Sequence, residues 1–217
     1  MIKSTKYKKE LNYEEEIKKL KKNLNLTKNQ SIEFDKRIKY KSFYIYKNIL
    51  EFIDIKKYSE FRKYDLMHSI FIYDKRLRKV LYEFISFVEE ILRSNLLNKF
   101  QLSENEIKKI YSLDFSDLIS ELKINEFDLK WNHLEEIRKL RNNVFHNRLV
   151  LIDLKNKVVN KSNKEAIIKL WYFLDKDIAD DFIKKIKKTE NKTISYKYKD
   201  RIKFKLPNEL YVSKWFK

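Results

Sequence analysis

Glycine and cysteine are missing from all 217 residues, and Pro207 is the one proline. Without glycine there is no Gly-rich phosphate loop, no dinucleotide fingerprint and no Gly-X-Ser-X-Gly nucleophile elbow. Turns that need a left-handed residue fall to Asn, Asp and Lys. Without cysteine there is no disulfide, thiolate nucleophile, iron–sulfur cluster or cysteine-ligated zinc. The histidines are His68, His133 and His146, with no His-Glu-X-X-His, so neither a metal site nor a cofactor is expected. Asp175, Asp177, Asp180 and Asp181 read as a solvated helix face rather than a metal cluster. No apolar run approaches the roughly 18 residues of a membrane span. The first sixteen residues, MIKSTKYKKELNYEEE, lack the apolar core of a signal peptide. A cytoplasmic protein without a membrane anchor is the expectation.

What is present is positive charge. Lys and Arg number 50 against 32 Asp and Glu, a formal net charge of +18, while 43% hydrophobic residues leave enough material for a real core. Only nine of the basic residues are Arg; the excess of Lys, Ile, Asn, Tyr and Phe is what an AT-rich genome writes. Distribution says more than the total. Residues 183–217 hold twelve basic and three acidic residues, a net +9, half of the whole charge. Such concentration points to a polyanion, with RNA the expected partner.

The pattern is helical almost throughout, and helix starts are marked by capping chemistry. Asn12 with Glu15, and Thr27 with Gln30, open two short helices. A tyrosine-rich helix follows from about Tyr40, where Tyr40, Phe43, Tyr44 and Tyr46 read as core rather than base-stacking surface. Ser59 caps a fourth helix to about Tyr73, and Asp74 starts another reaching about Phe100. The seam of that long helix is Leu77, Leu81, Phe84, Val88, Ile91 and Asn95. Ser103 with Glu106 caps two short pieces ending before Asn125. A strong helix then runs from about Asp128 to Asn147 on Leu129, Leu134, Ile137, Leu140 and Val144. LVLIDLKNKVVNKSN has room for a short strand pair, and Ser162 with Glu165 caps a last helix to about Lys187. The fold class expected is an all-α bundle of four principal helices with smaller N-terminal ones packed on it.

Near Lys188 both period and charge shift, giving a helical domain over 1–188 and a basic tail over 189–217. Even positions from Ile194 to Leu206 are mostly apolar or aromatic. Odd positions include Lys197, Lys199, Arg201, Lys203 and Lys205. Period 2 predicts one long strand or a hairpin folded near Asp200. Its basic face suits an edge strand guarded by lysines and equally an arm tracking an RNA backbone.

The chemistry is concentrated in HLEEIRKLRNNVFHNRL, residues 133–149, which hold three of the nine arginines and two of the three histidines. With Leu134 at 0° and about 100° per residue, Arg141 falls near 340°, inside the apolar stripe. Asn142 and His146 fall at about 80° and 120° on its flank. A cation in an apolar stripe is costly unless engaged, so Arg141 is expected to serve an anion or a carboxylate. Arg141 and His146 make a minimal kit for RNA cleavage without metal. The imidazole moves the proton of the 2′-OH or of the leaving oxygen, and the guanidinium holds the phosphate. Asn142 would orient the imidazole or bind phosphate, and the flanking Arg138 and Arg148 would hold RNA. Arg141 and His146 lie about 140° apart on an ideal helix, so a two-fold dimer would complete the site.

Arg-Asn-X-X-X-His within IRKLRNNVFHNRL resembles the Arg-X4–6-His motif of the HEPN superfamily of helical ribonucleases and RNA-binding proteins. Within it the chain is similar to the Abi-like branch, the abortive-infection proteins of AbiD/AbiF type. YEEEIKKLKKNLNLTKNQSIEFDKRIKYKSFYIY resembles the family's N-terminal segment, and FIYDKRLRKVLYEFISFVEEILRSNLL its most recognisable helix. That helix carries a Glu-X-X-X-Arg, here Glu89 and Arg93. The resemblance covers most of residues 13–180 and implies a HEPN-type bundle, a homodimer and an RNA-directed role in phage defence or a toxin–antitoxin pair. It makes Arg141 and His146 catalytic and Asn142 auxiliary. Glu89 and Arg93 are expected to form an i, i+4 ion pair, or alternatively to support Arg141. Two departures stand out. Asn147 occupies the place of a frequent second histidine, and Val150 or Leu151 that of an aromatic. The enzyme expected is an endoribonuclease leaving a 2′,3′-cyclic phosphate. The alternatives are a non-catalytic module binding a dedicated small non-coding RNA, or a protein partner of a separate toxin or antitoxin.

Overall fold

The computed structural model describes residues 13–38, 43–58, 62–190, 194–195, 201–202 and 206–216. Among them are nine α helices and two short antiparallel strand pairs, an all-α fold. None of the helices is long and apolar enough to cross a membrane. The chain divides into two compact units, residues 1–68 and 69–217.

The first unit comprises α1 (Tyr13–Leu24), α2 (Lys28–Ile38), α3 (Phe43–Lys56) and the opening residues of α4 (Lys63–Lys99). Thr27 and Gln30 make the expected capping box of α2: the Gln30 N–H donates to Thr27 Oγ1, and the Thr27 N–H to Gln30 Oε1. The expected caps Asn12 and Ser59, and Tyr40, lie outside the described residues. Phe34, Phe43, Tyr46, Ile49, Phe52 and Ile53 are buried, whereas Tyr44 is exposed. Ion pairs Lys21–Asp35, Lys47–Glu16 and Lys63–Asp54 link its helices around that core.

In the second unit α4 leads to α5 (Glu104–Ser112), α6 (Phe115–Ile124), α7 (Trp131–Phe145), α8 (Lys161–Phe173) and α9 (Lys176–Glu190). The two helices expected on either side of Asp74 are one unbroken helix of 37 residues, about 55 Å long. Asp74 looks like a cap in the sequence, but no Gly or Pro stands near it to break the helix. Its carboxylate is instead buried and accepts from the N–H groups of Val150 and Leu151 and from Arg78 Nε. The long-helix seam is buried at Leu77, Leu81, Phe84 and Val88 but continues through Leu92 and Leu96, with Ile91 and Asn95 only half-buried. A straight helix drifts off a 3.5-residue repeat, which moves the seam over one position per few turns.

The expected last helix is two, divided at Leu174–Asp175. Asn160, not Ser162, caps α8, accepting from the Asn163 N–H. The Ser103–Glu106 capping box of α5 is present. β1 (Ile152–Asp153) pairs with β2 (Val158–Val159), forming the expected strand pair. β3 (Ile194–Ser195) pairs antiparallel with β4 (Arg201–Ile202), so the tail contains a hairpin rather than one long strand. Residues 206–216 form two short 3₁₀ turns whose Leu210, Val212 and Trp215 are buried, and Phe216 meets Trp171 and Phe182 edge-on.

Missing glycines are replaced at left-handed positions by Asn25, Lys57, Glu126, Asn147 and Lys157, with φ between 50° and 55°. Asn and Lys do what the composition requires, and Glu126 adds a type not expected there.

Candidate functional site

The C-terminal end of α7 lies against one stripe of α4. Arg78 Nη1 donates to Asn147 Oδ1 at 3.0 Å, Tyr82 stacks on Phe145 at 4.5 Å, and Arg141 Nε donates to Glu89 Oε1 at 2.9 Å. Positions 74, 78, 82 and 89 share one face of a helix. They meet residues 150, 147, 145 and 141 in descending order, so the two segments run antiparallel. Each contact fixes a different residue of the Arg-Asn-Asn-Val-Phe-His run or of the loop that follows it.

The end of α7 is closed by hydrogen bonds in the pattern of a Schellman motif. The Arg148 N–H donates to the Asn143 carbonyl and the Asn147 N–H to the Val144 carbonyl, with Asn147 left-handed at φ 55°. This geometry accounts for an asparagine at position 147. A left-handed C-terminal position favours Gly or Asn, and glycine is not used in this chain. His146 is the cap residue just before it and is exposed.

Arg141 does what its place in the apolar stripe requires. Its guanidinium is half-buried, salt-bridged to Glu89, and lies 4.2 Å from the centre of the Phe145 ring. Among the described residues neither of its Nη groups has a hydrogen-bond acceptor. Asp114, the N-cap of α6, sits within its electrostatic reach. The Asp114 carboxyl is held below its ordinary range by the Asp117 N–H, with the Ser116 N–H, Arg141 and Arg138 adding to the effect.

The Glu89–Arg93 ion pair does not form. Glu89 turns to Arg141, while Arg93 Nη2 donates to the Leu113 carbonyl at 2.7 Å and ties α4 to the end of α5. An i, i+4 pair on a surface is worth little, and a half-buried guanidinium in an apolar stripe competes better for the carboxylate. Arg138 pairs with Glu135 at 2.9 Å. Arg148 is exposed. Asn142 is linked to His146 only through the backbone, its carbonyl accepting the His146 N–H at 3.1 Å. Its side-chain amide has no hydrogen bond among the described residues. Lys197, Lys199, Lys203 and Lys205 lie outside the described residues, and Arg201 falls in β4.

No family model, curated protein or solved structure matches the chain.

Four contributors escaped the sequence reading: Asp74, Arg78, Tyr82 and Asn163. The first three are the polar and aromatic edge of the α4 stripe, and their i, i+4, i+8 spacing was the available signal. Asn163 is buried and bridges elements: its Oδ1 accepts from Asn143 Nδ2, and its Nδ2 donates to the Val150 carbonyl, both at 2.9 Å. A single asparagine carries no such signal in sequence. His68 is buried and stacked on Tyr64. His133 is half-buried, and burial pushes its imidazole below the usual range. Among the described residues no group of three or more His, Asp or Glu is placed to hold a metal ion.

Proposed function

We propose that the chain is an RNA-binding protein of HEPN type, of the Abi-like branch, acting in phage defence as a metal-independent endoribonuclease. The observation that carries the reading is the end of α7. His146 is exposed there, five residues after an Arg141 that Glu89 anchors through Nε while both Nη groups keep their donors. An anchored guanidinium with free donors is suited to a phosphate, and an exposed imidazole to proton transfer.

His146 would take the proton of a ribose 2′-OH. The 2′ oxygen then attacks phosphorus, the P–O5′ bond breaks, and the leaving 5′ oxygen takes up a proton. The products are a 2′,3′-cyclic phosphate and a 5′-hydroxyl. Arg141 would stabilise the charge on the phosphoryl oxygens. A homodimer pairing two such helix ends supplies one group for each proton transfer.

The test is cleavage of RNA in excess chelator by the parent chain, His146→Ala and Arg141→Ala. Cleavage ending in a cyclic phosphate and lost in both variants supports the reading. Equal cleavage in all three rejects it.

A second reading is favoured by the same pair: Glu89 already meets the charge of Arg141. In that reading the helix end grips a small RNA without cutting it. Tight RNA binding by a parent chain that cleaves nothing would select it.

A further inference from the structure

Beside the Arg141–His146 end of α7 stands an aromatic pair whose outer member is not buried. Tyr82 is 51% exposed although its ring is stacked on Phe145 at 4.5 Å with 26° between the planes. Phe145 in turn carries the Arg141 guanidinium at 4.2 Å. Among the described residues Phe145 is the one ring that Tyr82 meets. An exposed tyrosine backed by a second ring and a guanidinium is a rigid π surface with a cation at its edge.

The surroundings say what such a surface would take. On the helical wheel of α4, Lys75 and Lys79 occupy the arc beside Tyr82, and both are exposed. Arg148 is exposed beyond His146. The nearby carboxylates are engaged: Glu89 by Arg141, Glu83 by Lys185 and Asp74 by Arg78. The ligand that fits is flat, aromatic and anionic. A nucleotide of single-stranded RNA has all three properties, its base for Tyr82 and its phosphates for the cations.

We infer that Tyr82, backed by Phe145, is a base-stacking platform that seats an unpaired nucleobase next to the phosphate held at Arg141. This rests on the RNA reading given above and adds to it a substrate preference: single-stranded or looped RNA over duplex. In a duplex the bases already stack on one another and none is free to lie on Tyr82.

The test measures binding of a fluorescent 12-nucleotide single-stranded RNA and of an abasic ribose-phosphate oligomer of equal length. The full chain is used with His146→Ala throughout, so that nothing is cut. Tyr82→Ala and Tyr82→Phe are compared with that parent. Tyr82 is exposed, so both variants should fold, and circular dichroism checks it. The expected result is binding to the RNA about tenfold weaker in Tyr82→Ala, within about twofold of the parent in Tyr82→Phe, and no change for the abasic oligomer. Unchanged RNA affinity in Tyr82→Ala overturns the platform and leaves the RNA reading standing. Equal losses on both ligands make Tyr82 a structural prop and also overturn it. A change in oligomeric state by light scattering with RNA affinity intact assigns the ring to contact with a second copy, and the platform fails. If the parent binds neither oligomer, the RNA reading itself falls and the platform with it.

Discussion

Glu89 and Arg141 stand 52 residues apart in sequence and meet at 2.9 Å, carboxylate to guanidinium, across the packing of α4 on α7. The pair is partly screened from water, with side-chain exposures of 16% and 24%. It resolves how a permanent cation can sit in the apolar stripe of α7. It also fixes which end of Arg141 is occupied, since Nε is taken and the Nη groups are not.

If that pair orients Arg141, the two residues must be coupled. Glu89→Ala and Arg141→Ala should each lower stability, and the double variant should lose less than their sum. A coupling of about 1 kcal/mol is expected for a charged hydrogen bond that is still partly solvated. Urea denaturation of the four proteins measures it. Strict additivity would mean that Arg141 is not held by Glu89.

Left-handed backbone in a glycine-free chain gives a second prediction. Glu126 has φ 55° at the end of α6, where the Phe127 N–H donates to the Leu122 carbonyl. A side chain with a β-carbon is strained there, so Glu126→Gly should raise stability by about 0.5–1 kcal/mol. Asn147 has the same φ but also accepts from Arg78, so Asn147→Gly should gain nothing or lose stability. Thermal melts that rank the two substitutions the other way would refute the distinction.

Much of this was legible in sequence, and the part that was not has a physical cause. The capping boxes at Thr27 and Ser103 are local patterns that stand as read, and so do Leu134, Ile137, Leu140 and Val144 of the α7 stripe. Leu129, by contrast, is half-buried and precedes the helix, which begins at Trp131. The oddity of Arg141 was legible too, because an isolated cation in an apolar stripe demands a partner. Glu89 was legible as its partner only as an alternative, since it has a local suitor in Arg93 and only tertiary packing turns it away. Asp74 was misread for the same reason. A carboxylate inside a helix looks like a cap until the loop at Val150 and Leu151 brings two N–H groups to it. The period-2 tail was legible as either one long strand or a hairpin, between which the pairing of β3 with β4 decides. The burial of Leu210, Val212 and Trp215 beyond it was not legible.

Among the described residues of the second unit, Asp74 and Arg78 are the most buried ion pair, with side-chain exposures of 0% and 10%. Burial pushes the Asp74 carboxyl up, against Arg78 and the two N–H donors that favour its charged form. Removing Arg78 leaves the buried Asp74 carboxylate with only its two N–H donors, and removing Asp74 leaves the Arg78 charge with only the neutral Asn147 oxygen. Asp74→Ala and Arg78→Ala should therefore each cost about 3–5 kcal/mol, far more than Glu89→Ala. Asp74→Ala should also release the amides of Val150 and Leu151 to rapid hydrogen exchange. Protected amides in a folded variant would show that another acceptor holds this loop.

Acid should weaken the α5–α6 corner in a defined direction. The Asp114 carboxyl lies below its ordinary 3.8, chiefly because it accepts from the Asp117 N–H. A lowered value means that the folded state prefers the charged form. The contribution is complete above about 3.8 and disappears as pH falls through the lowered value. Asp114→Asn keeps an oxygen for the cap but removes the charge, so its stability should depend less on pH in that window. Parallel stability curves for the two proteins from pH 5 down to about 2 would remove Asp114 from the acid response.

The end of α9 gives the last prediction. Glu190 accepts from the Tyr73 hydroxyl at 2.8 Å, from the Ser213 N–H at 2.9 Å and from Ser213 Oγ at 2.5 Å. Tyr73 in turn accepts from the Val212 N–H at 3.1 Å, and burial holds its phenol protonated well beyond the usual range. One carboxylate thus joins α4, α9 and the final 3₁₀ turn. Glu190→Ala leaves three donors without their acceptor, and water can reach only those at the half-buried Ser213. A loss of about 2–4 kcal/mol is expected, with the Val212 and Ser213 amides exchanging faster than those of α7. Glu190→Gln, which keeps an acceptor oxygen, should recover part of the loss. If the Ala and Gln variants are equally unstable, the negative charge of Glu190 anchors this segment rather than its hydrogen bonds.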